Sequence, residues 1–173
     1  MNFEKVFFIS FTTNGLERIN ELPIDFNISS VLKDVLVTKI INVGETNWIE
    51  ENDKIRYIQK EIMLTEGLSP TSAISFINEF CKKNDVKTLF SPDYQNDIKL
   101  LSNLEEESFI PPNFKLKDFY AGINPYQKTF WKHLYETQRK KTLTINFNAE
   151  EKNKLFIKNF KKVIDIHKLN SSA

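Results

Sequence analysis

Hydrophobic and polar positions divide the chain into a short run of strands followed by alternating helices and strands. Val6 to Phe11, VFFISF, is apolar at every position except Ser10, the pattern of a strand buried on both faces in the middle of a sheet. The turn TTNGL ends it. PIDFNIS and part of VLVTKIINVG alternate apolar and polar residues, which predicts two half-buried strands near Ile24 to Ile28 and Val35 to Ile41. EENDKIRYIQKEIML then spaces Ile55, Ile58 and Ile62 at helical intervals. SPTSAISFINEFCKK opens with Ser69 as N-cap and Pro70 in the first turn, with Ile74, Ile77, Phe80 and Cys81 on one face. VKTLFSP reads as a short strand stopped by Pro92, and DYQNDIKLLSNLEEE as a helix with Ile98, Leu101 and Leu104 on one side.

The prolines of IPPNFKLKDFYAG mark a loop ahead of a strand from Phe114 to Phe119. YQKTFWKHLYETQRKK predicts a further helix with Phe130, Trp131, Leu134 and Tyr135 as its apolar side. The last segment, NAEEKNKLFIKNFKKVIDIHKL, places Leu155, Phe156, Phe160, Val163, Ile164 and His167 on one stripe, as in a long helix lying on a sheet. The expected architecture is therefore α/β, with a mixed central sheet of about five strands flanked by helices. One unit over residues 1–169 and a frayed tail at 170–173 are expected.

Charge changes this picture through its distribution. The 24 basic and 23 acidic residues nearly cancel, leaving +1. Residues 126–173 hold eleven bases and four acids, a balance of +7, which leaves 13 bases and 19 acids, or −6, on residues 1–125. Such asymmetry steers a polyanion to one side of a fold, although a solvated lysine-rich helix face has the same composition. The single cysteine, Cys81, excludes an internal disulfide and any multi-cysteine metal site. Its place on an apolar helix face predicts a packed thiol. With no basic-then-apolar leader and no apolar run of membrane length, the expected setting is cytoplasmic and away from the membrane.

Three local motifs carry a resemblance. SFTTNGL, residues 10–16, closes the first strand; LFSPDYQNDIKLL, residues 89–101, is a strand, loop and helix with Asp97 near the helix start; and NFNAEEKNKLF, residues 146–156, opens the last helix. With IINVG at 40–44, their order and spacing resemble the DEDD family of 3′-to-5′ exonucleases, in particular the histidine-bearing branch with proofreading exonuclease subunits and ribonuclease T. The resemblance implies a ribonuclease H-like exonuclease fold. It also implies two-metal hydrolysis of phosphodiesters, in which two ions held about 3.5–4 Å apart activate water and stabilise the leaving oxygen. Such ions, Mg2+ or Mn2+, require a set of carboxylates.

Carried over residue by residue, that set is depleted. The first acid of the family falls on Ser10, the second on Thr12, the third on Asp97 and the fourth on Glu151, while the general-base histidine falls on Asn146. Neutral Ser10 and Thr12 bring no charge, and an asparagine takes no proton from water near neutral pH. Asp97 and Glu151 are thus the remaining candidates for catalysis or metal binding, with Ser10, Thr12 and Asn146 as vestigial positions. Thr13, Asn14, Gly15 and Leu16 of the turn, with Lys140 and Lys141 of the basic C-terminal third, are the candidate nucleic-acid contacts. Blander readings stand beside these: Asn14-Gly15 as a plain tight turn, and Asp97, Glu150 and Glu151 as acids favoured by helix N-termini. His133 and His167 are expected as core or surface residues.

Three functions follow from this reading. A catalytically impaired exonuclease-like domain would bind single-stranded DNA or RNA without cofactor. A protein-interaction module on the same fold would expose an apolar patch away from the old cleft. A divergent, active metal-dependent exonuclease would need Asp93 or Asp118 to join Asp97 and Glu151.

Overall fold

The computed structural model describes residues 6–13, 21–30, 36–45, 58, 60–122, 128, 129, 133, 137 and 148–170. Its centre is a five-stranded mixed sheet of β1 (Phe7–Thr12), β2 (Asp25–Ser30), β3 (Leu36–Ile40), β4 (Thr88–Ser91) and β5 (Lys115–Asp118), in the spatial order β3-β2-β1-β4-β5. β1 pairs antiparallel with β2, and β2 with β3, whereas β1 with β4 and β4 with β5 are parallel. The α/β class and the five strands agree with the hydrophobic pattern.

Helices cover both faces. α1 (Lys60–Glu66), α2 (Pro70–Lys83) and α3 (Tyr94–Ser108) connect the strands, and α4 (Ala149–Asn170) closes the described chain. Residues 119–122 form a short 3-10 turn after β5. Of the helix expected over 126–141, Lys128, Thr129, His133 and Thr137 are described and helical, and His133 is exposed; the rest of that stretch lies outside the described residues. Among the described residues no helix is long and apolar enough to cross a membrane.

Local chemistry sets the helix ends as the sequence suggests. Ser69 caps α2 by accepting from the Ser72 N–H at 3.1 Å, and Pro70 stands at the first position, where its missing N–H is no loss. The other end of α2 closes through a left-handed Asp85, with the Val86 N–H on the Cys81 carbonyl at 2.8 Å and the Asp85 N–H on Lys82 at 3.3 Å. Cys81 is buried, and burial pushes its thiol up to about 12, so it stays protonated and inert.

Alternation along β1 sorts the core in two. Phe7, Ile9 and Phe11 pack with Ile28, Ile74, Ile77, Leu101 and Leu104 beneath α2 and α3. Val6 and Phe8 face α4, where Phe8, Phe119, Phe156 and Phe160 form an aromatic cluster with ring centroids 4.8 to 6.4 Å apart.

One strand departs from its expected environment. PIDFNIS predicts a half-buried strand with its polar side in water, yet all six residues of β2 are buried. Asp25, Asn27 and Ser29 lie opposite Thr12, Ser10 and Phe8 and so share the face that α4 covers. A polar row in a sheet looks solvent-facing until a helix with polar partners is laid across it.

Gly67 joins α1 to the sheet. The Leu68 N–H donates to Ile40 and the Asn42 N–H to Leu68, which fastens this turn to the end of β3. A side chain at Gly67 would meet the Met63 carbonyl oxygen at 2.3 Å and the Asn42 amide nitrogen at 2.8 Å, both backbone atoms that cannot swing aside. Gly67→Ala is expected to destabilise the protein by about 2 kcal/mol through overpacking. An unchanged urea midpoint would refute this.

Candidate functional site

β1 and β4 are registered only at Phe8 and Phe90, so the sheet opens between them towards the carboxyl end of β1. The chain leaves β1 towards β2 and leaves β4 towards β5, making this the place where the sheet's connections reverse direction. Crevices of this kind are where open α/β sheets take their ligands. Without a β4 neighbour, the Phe11 peptide groups must find side chains. Phe11 N–H donates to Asp97 Oδ1 at 3.2 Å, and Phe11 C=O accepts from Lys152 Nζ at 2.8 Å. Asp97 from α3 and Lys152 from α4 are thus fastened to the same residue of the central strand.

Both groups are buried, Asp97 at 0% exposure and Lys152 at 8%. Burial pushes the Asp97 carboxyl up to about 7; the Lys152 ammonium, the Ser91 hydroxyl and the Phe11 N–H pull it back, and neighbouring Asp93 adds to the rise. Ser91 Oγ donates to Asp97 Oδ2 at 2.5 Å and accepts from the Asp93 N–H at 2.9 Å, tying the end of β4 to the start of α3.

The positions mapped to the first two acids are closed off. Ser10 Oγ donates to Asn153 Oδ1 at 2.8 Å, and Asn153 Nδ2 donates to Asn27 Oδ1 at 2.7 Å and to the Asn27 carbonyl at 2.9 Å. Asn27 in turn donates to Thr38 Oγ1 at 3.0 Å, and Thr38 donates to Glu150 Oε2 at 2.7 Å. Glu150 then meets Lys154 at 2.5 Å. The Lys154 and Thr38 hydrogen bonds hold the Glu150 carboxyl below the ordinary range, and Glu150 raises Lys154 in return. Thr12 donates to Asp25, which is buried opposite it on β2. Polar residues of three neighbouring strands are therefore consumed in docking the first turns of α4 (Fully paired networks of this kind specify one arrangement of a buried surface.)

Of the residues expected in a site, Ser10 and Thr12 flank Phe11 on β1, and Asp97 accepts the Phe11 N–H between them. Glu151 lies apart from them. Its side chain is 44% exposed and 3.5 Å from Lys154, and its N–H is capped by Asn148 Oδ1 at 2.7 Å. Asp93 acts on Asp97 through its charge, whereas Asp118 accepts from the Tyr120 N–H at 2.8 Å and sits 4.0 Å from Lys128. Thr13 ends the described part of the first turn. Asn14, Gly15, Leu16, Lys140, Lys141 and Asn146 lie outside the described residues. Among the described residues no three acidic, histidine or cysteine side chains converge as a metal site would need.

Lys152, Asn153 and Asp25 are the residues that sequence reading passed over. For the first two a signal existed: they precede Phe156 by four and three residues, so helical spacing turns them to the same face, while Glu151 falls outside it. For Asp25 the signal pointed the wrong way, since strand alternation assigns it to solvent. Compared with known proteins, the chain matches no family model and no curated protein.

Proposed function

We propose that this chain has a ribonuclease H-like exonuclease fold that has given up metal-dependent cleavage and works by binding single-stranded nucleic acid. The observation that carries the reading is the buried Lys152 ammonium beside Asp97, the third mapped acid. A fixed positive charge opposes a divalent ion at the same place, and a carboxyl that titrates near 7 is a weak ligand at neutral pH. The sheet order β3-β2-β1-β4-β5, with the antiparallel β1-β2-β3 meander joined to the parallel β1-β4-β5 half, supports the fold assignment. Ser10 then acts as an anchor for α4 through Asn153, and Thr12 as a partner of Asp25 on β2, in positions where the family's acids would stand.

Binding is supported by the excess of seven positive charges on residues 126–173, among them Lys158 and Lys161 on α4, both exposed. Lysines on one flank attract phosphates irrespective of base sequence, with release of counterions. The test is fluorescence anisotropy with labelled single-stranded DNA and RNA across a salt series, alongside calorimetric titration with Mn2+ and a cleavage assay. Expected are saturable binding whose logarithm falls linearly with the logarithm of salt, no Mn2+ heat at the crevice, and intact oligonucleotides. End-first cleavage with Mn2+ would make the chain an active exonuclease of unusual ligand set. Absence of nucleic-acid binding would sink the binding role and leave the fold to serve another partner.

A further inference from the structure

Asp97 lies near the start of α3, and the helix ends about 16 Å further on in a feature unrelated to the crevice. Phe109, immediately after the last turn, is 92% exposed, the one large apolar side chain so presented among the described residues. Its backbone sits in the left-handed region at φ 56, which closes the helix by directing its N–H to the Glu105 carbonyl at 2.9 Å. Glycine does this without steric cost, whereas a phenylalanine is strained there and its ring is left in water. Neither capping nor core packing explains the choice of residue.

The ring stands on a stiff base. Ile110 N–H donates to Ser108 Oγ at 3.2 Å, two prolines follow, and Asn78 of α2 clamps the segment: it donates to the Pro111 carbonyl at 3.0 Å and accepts from the Asn113 N–H at 2.8 Å. Beside Phe109 lies an open hollow of about 700 Å³ lined by Ser102, Glu105, Glu106 and Pro111. Glu105, Glu106 and Glu107 occupy the last turn of α3, which holds no basic residue, so three carboxylates crowd the negative end of the helix dipole. Among the described residues none of the three has an ion-pair partner. This arrangement opposes helix stability and favours a cation from outside.

We propose that the carboxyl end of α3 is a docking site for a basic segment of a partner protein, which seats an apolar side chain against Phe109 and lays Lys or Arg along Glu105 and Glu106. Charge complementarity selects this occupant: an acidic rim around a rigid aromatic rejects nucleic acid and acidic peptides. Preorganisation of the ring lowers the ordering cost of binding, as at aromatic hot spots. The site is independent of the nucleic-acid reading, and either stands if the other fails.

The test uses the full chain, labelled with nitrogen-15, titrated with a short lysine–leucine peptide and with a glutamate–leucine peptide of equal length. Expected are saturable amide shifts confined to residues 102–111 with the basic peptide alone, weakening with added salt. Phe109→Gly should reduce affinity about tenfold or more, in the range of an aromatic anchor, while leaving the melting temperature unchanged or raised, because glycine suits the left-handed backbone. Glu105→Lys with Glu106→Lys should abolish binding. Shifts elsewhere on the surface, or affinity unmoved by Phe109→Gly, would overturn the proposal. Self-association in sedimentation that Phe109→Gly removes would also overturn it, by assigning the face to a second copy of the chain.

Discussion

Lys152→Met is expected to lower stability by about 2 kcal/mol at pH 8, where both the charged hydrogen bond to the Phe11 carbonyl and the attraction to the nearby Asp97 carboxylate are lost, and by clearly less at pH 6. At pH 8 the Asp97 carboxyl is ionised, since its pKa is pushed up only to about 7, and the ammonium is the cation that faces it. Removing that cation leaves a buried negative charge or forces a proton onto it. At pH 6 the carboxyl is already mostly neutral, and the variant loses chiefly the hydrogen bond from Nζ to the Phe11 carbonyl. Urea denaturation at the two pH values measures the difference. Asp97→Asn combined with Lys152→Met should recover part of the loss, because two groups that interact are not additive. Equal losses at both pH values, with an additive double variant, would show that the pair is not coupled.

Asp97 is also expected to make the native protein less stable as pH rises from about 4 to 7. Its folded pKa, about 7, lies above the unfolded value of 3.8. Between those values the unfolded chain has released its proton and the folded one retains it, so folding binds a proton and weakens as protons become scarce. The contribution is complete below pH 4 and lost once pH exceeds 7, with a total of about 4 kcal/mol at 1.36 kcal/mol per pH unit. Glu150 acts in the opposite sense at lower pH, since its carboxyl is held below the ordinary range by Lys154 and Thr38 and that stabilisation disappears on acidification. Among the described residues, Asp97 is then the group with a displaced pKa that acts between pH 5 and 7. Asp97→Asn, which resembles the protonated acid in shape and offers a donor in its place, should flatten the stability profile across that window. A profile unchanged by the substitution would assign the pH dependence to other groups.

These two results bear on function as well as stability. A crevice whose carboxyl takes up a proton near neutrality and whose neighbour is a fixed ammonium is neutralised from within. Its remaining polar groups hold α4 against the sheet. An enzyme that relied on the same positions for metal ions would need them charged and open.

The order of strands and helices was legible in the sequence because it depends on short-range periodicity. VFFISF had to be a central strand, Ser69-Pro70 had to start a helix, and Phe156 with Phe160 had to face a core. Most boundaries moved by one or two residues, but the first helix begins at Lys60 and leaves Ile58, expected on its apolar face, in a bend ahead of it, while Ile55 lies outside the described residues. The helix start that carries Asp97 was legible too, but an acid there reads as exposed and dipole-favoured, and its burial was not legible.

The partners of these residues were decided in three dimensions. Asp25, Asn27 and Ser29 alternate like a wet strand face, and only the packing of α4 over that face makes them buried and satisfied. Glu151 and Lys152 are adjacent in sequence, yet a helical step of about 100° sends one towards water and the other into the crevice. Periodicity determines which positions of a segment share a face. What lies opposite that face, and therefore whether Lys152 meets solvent or the Phe11 carbonyl of the central strand, depends on contacts between residues 141 positions apart, and only the folded chain supplies them.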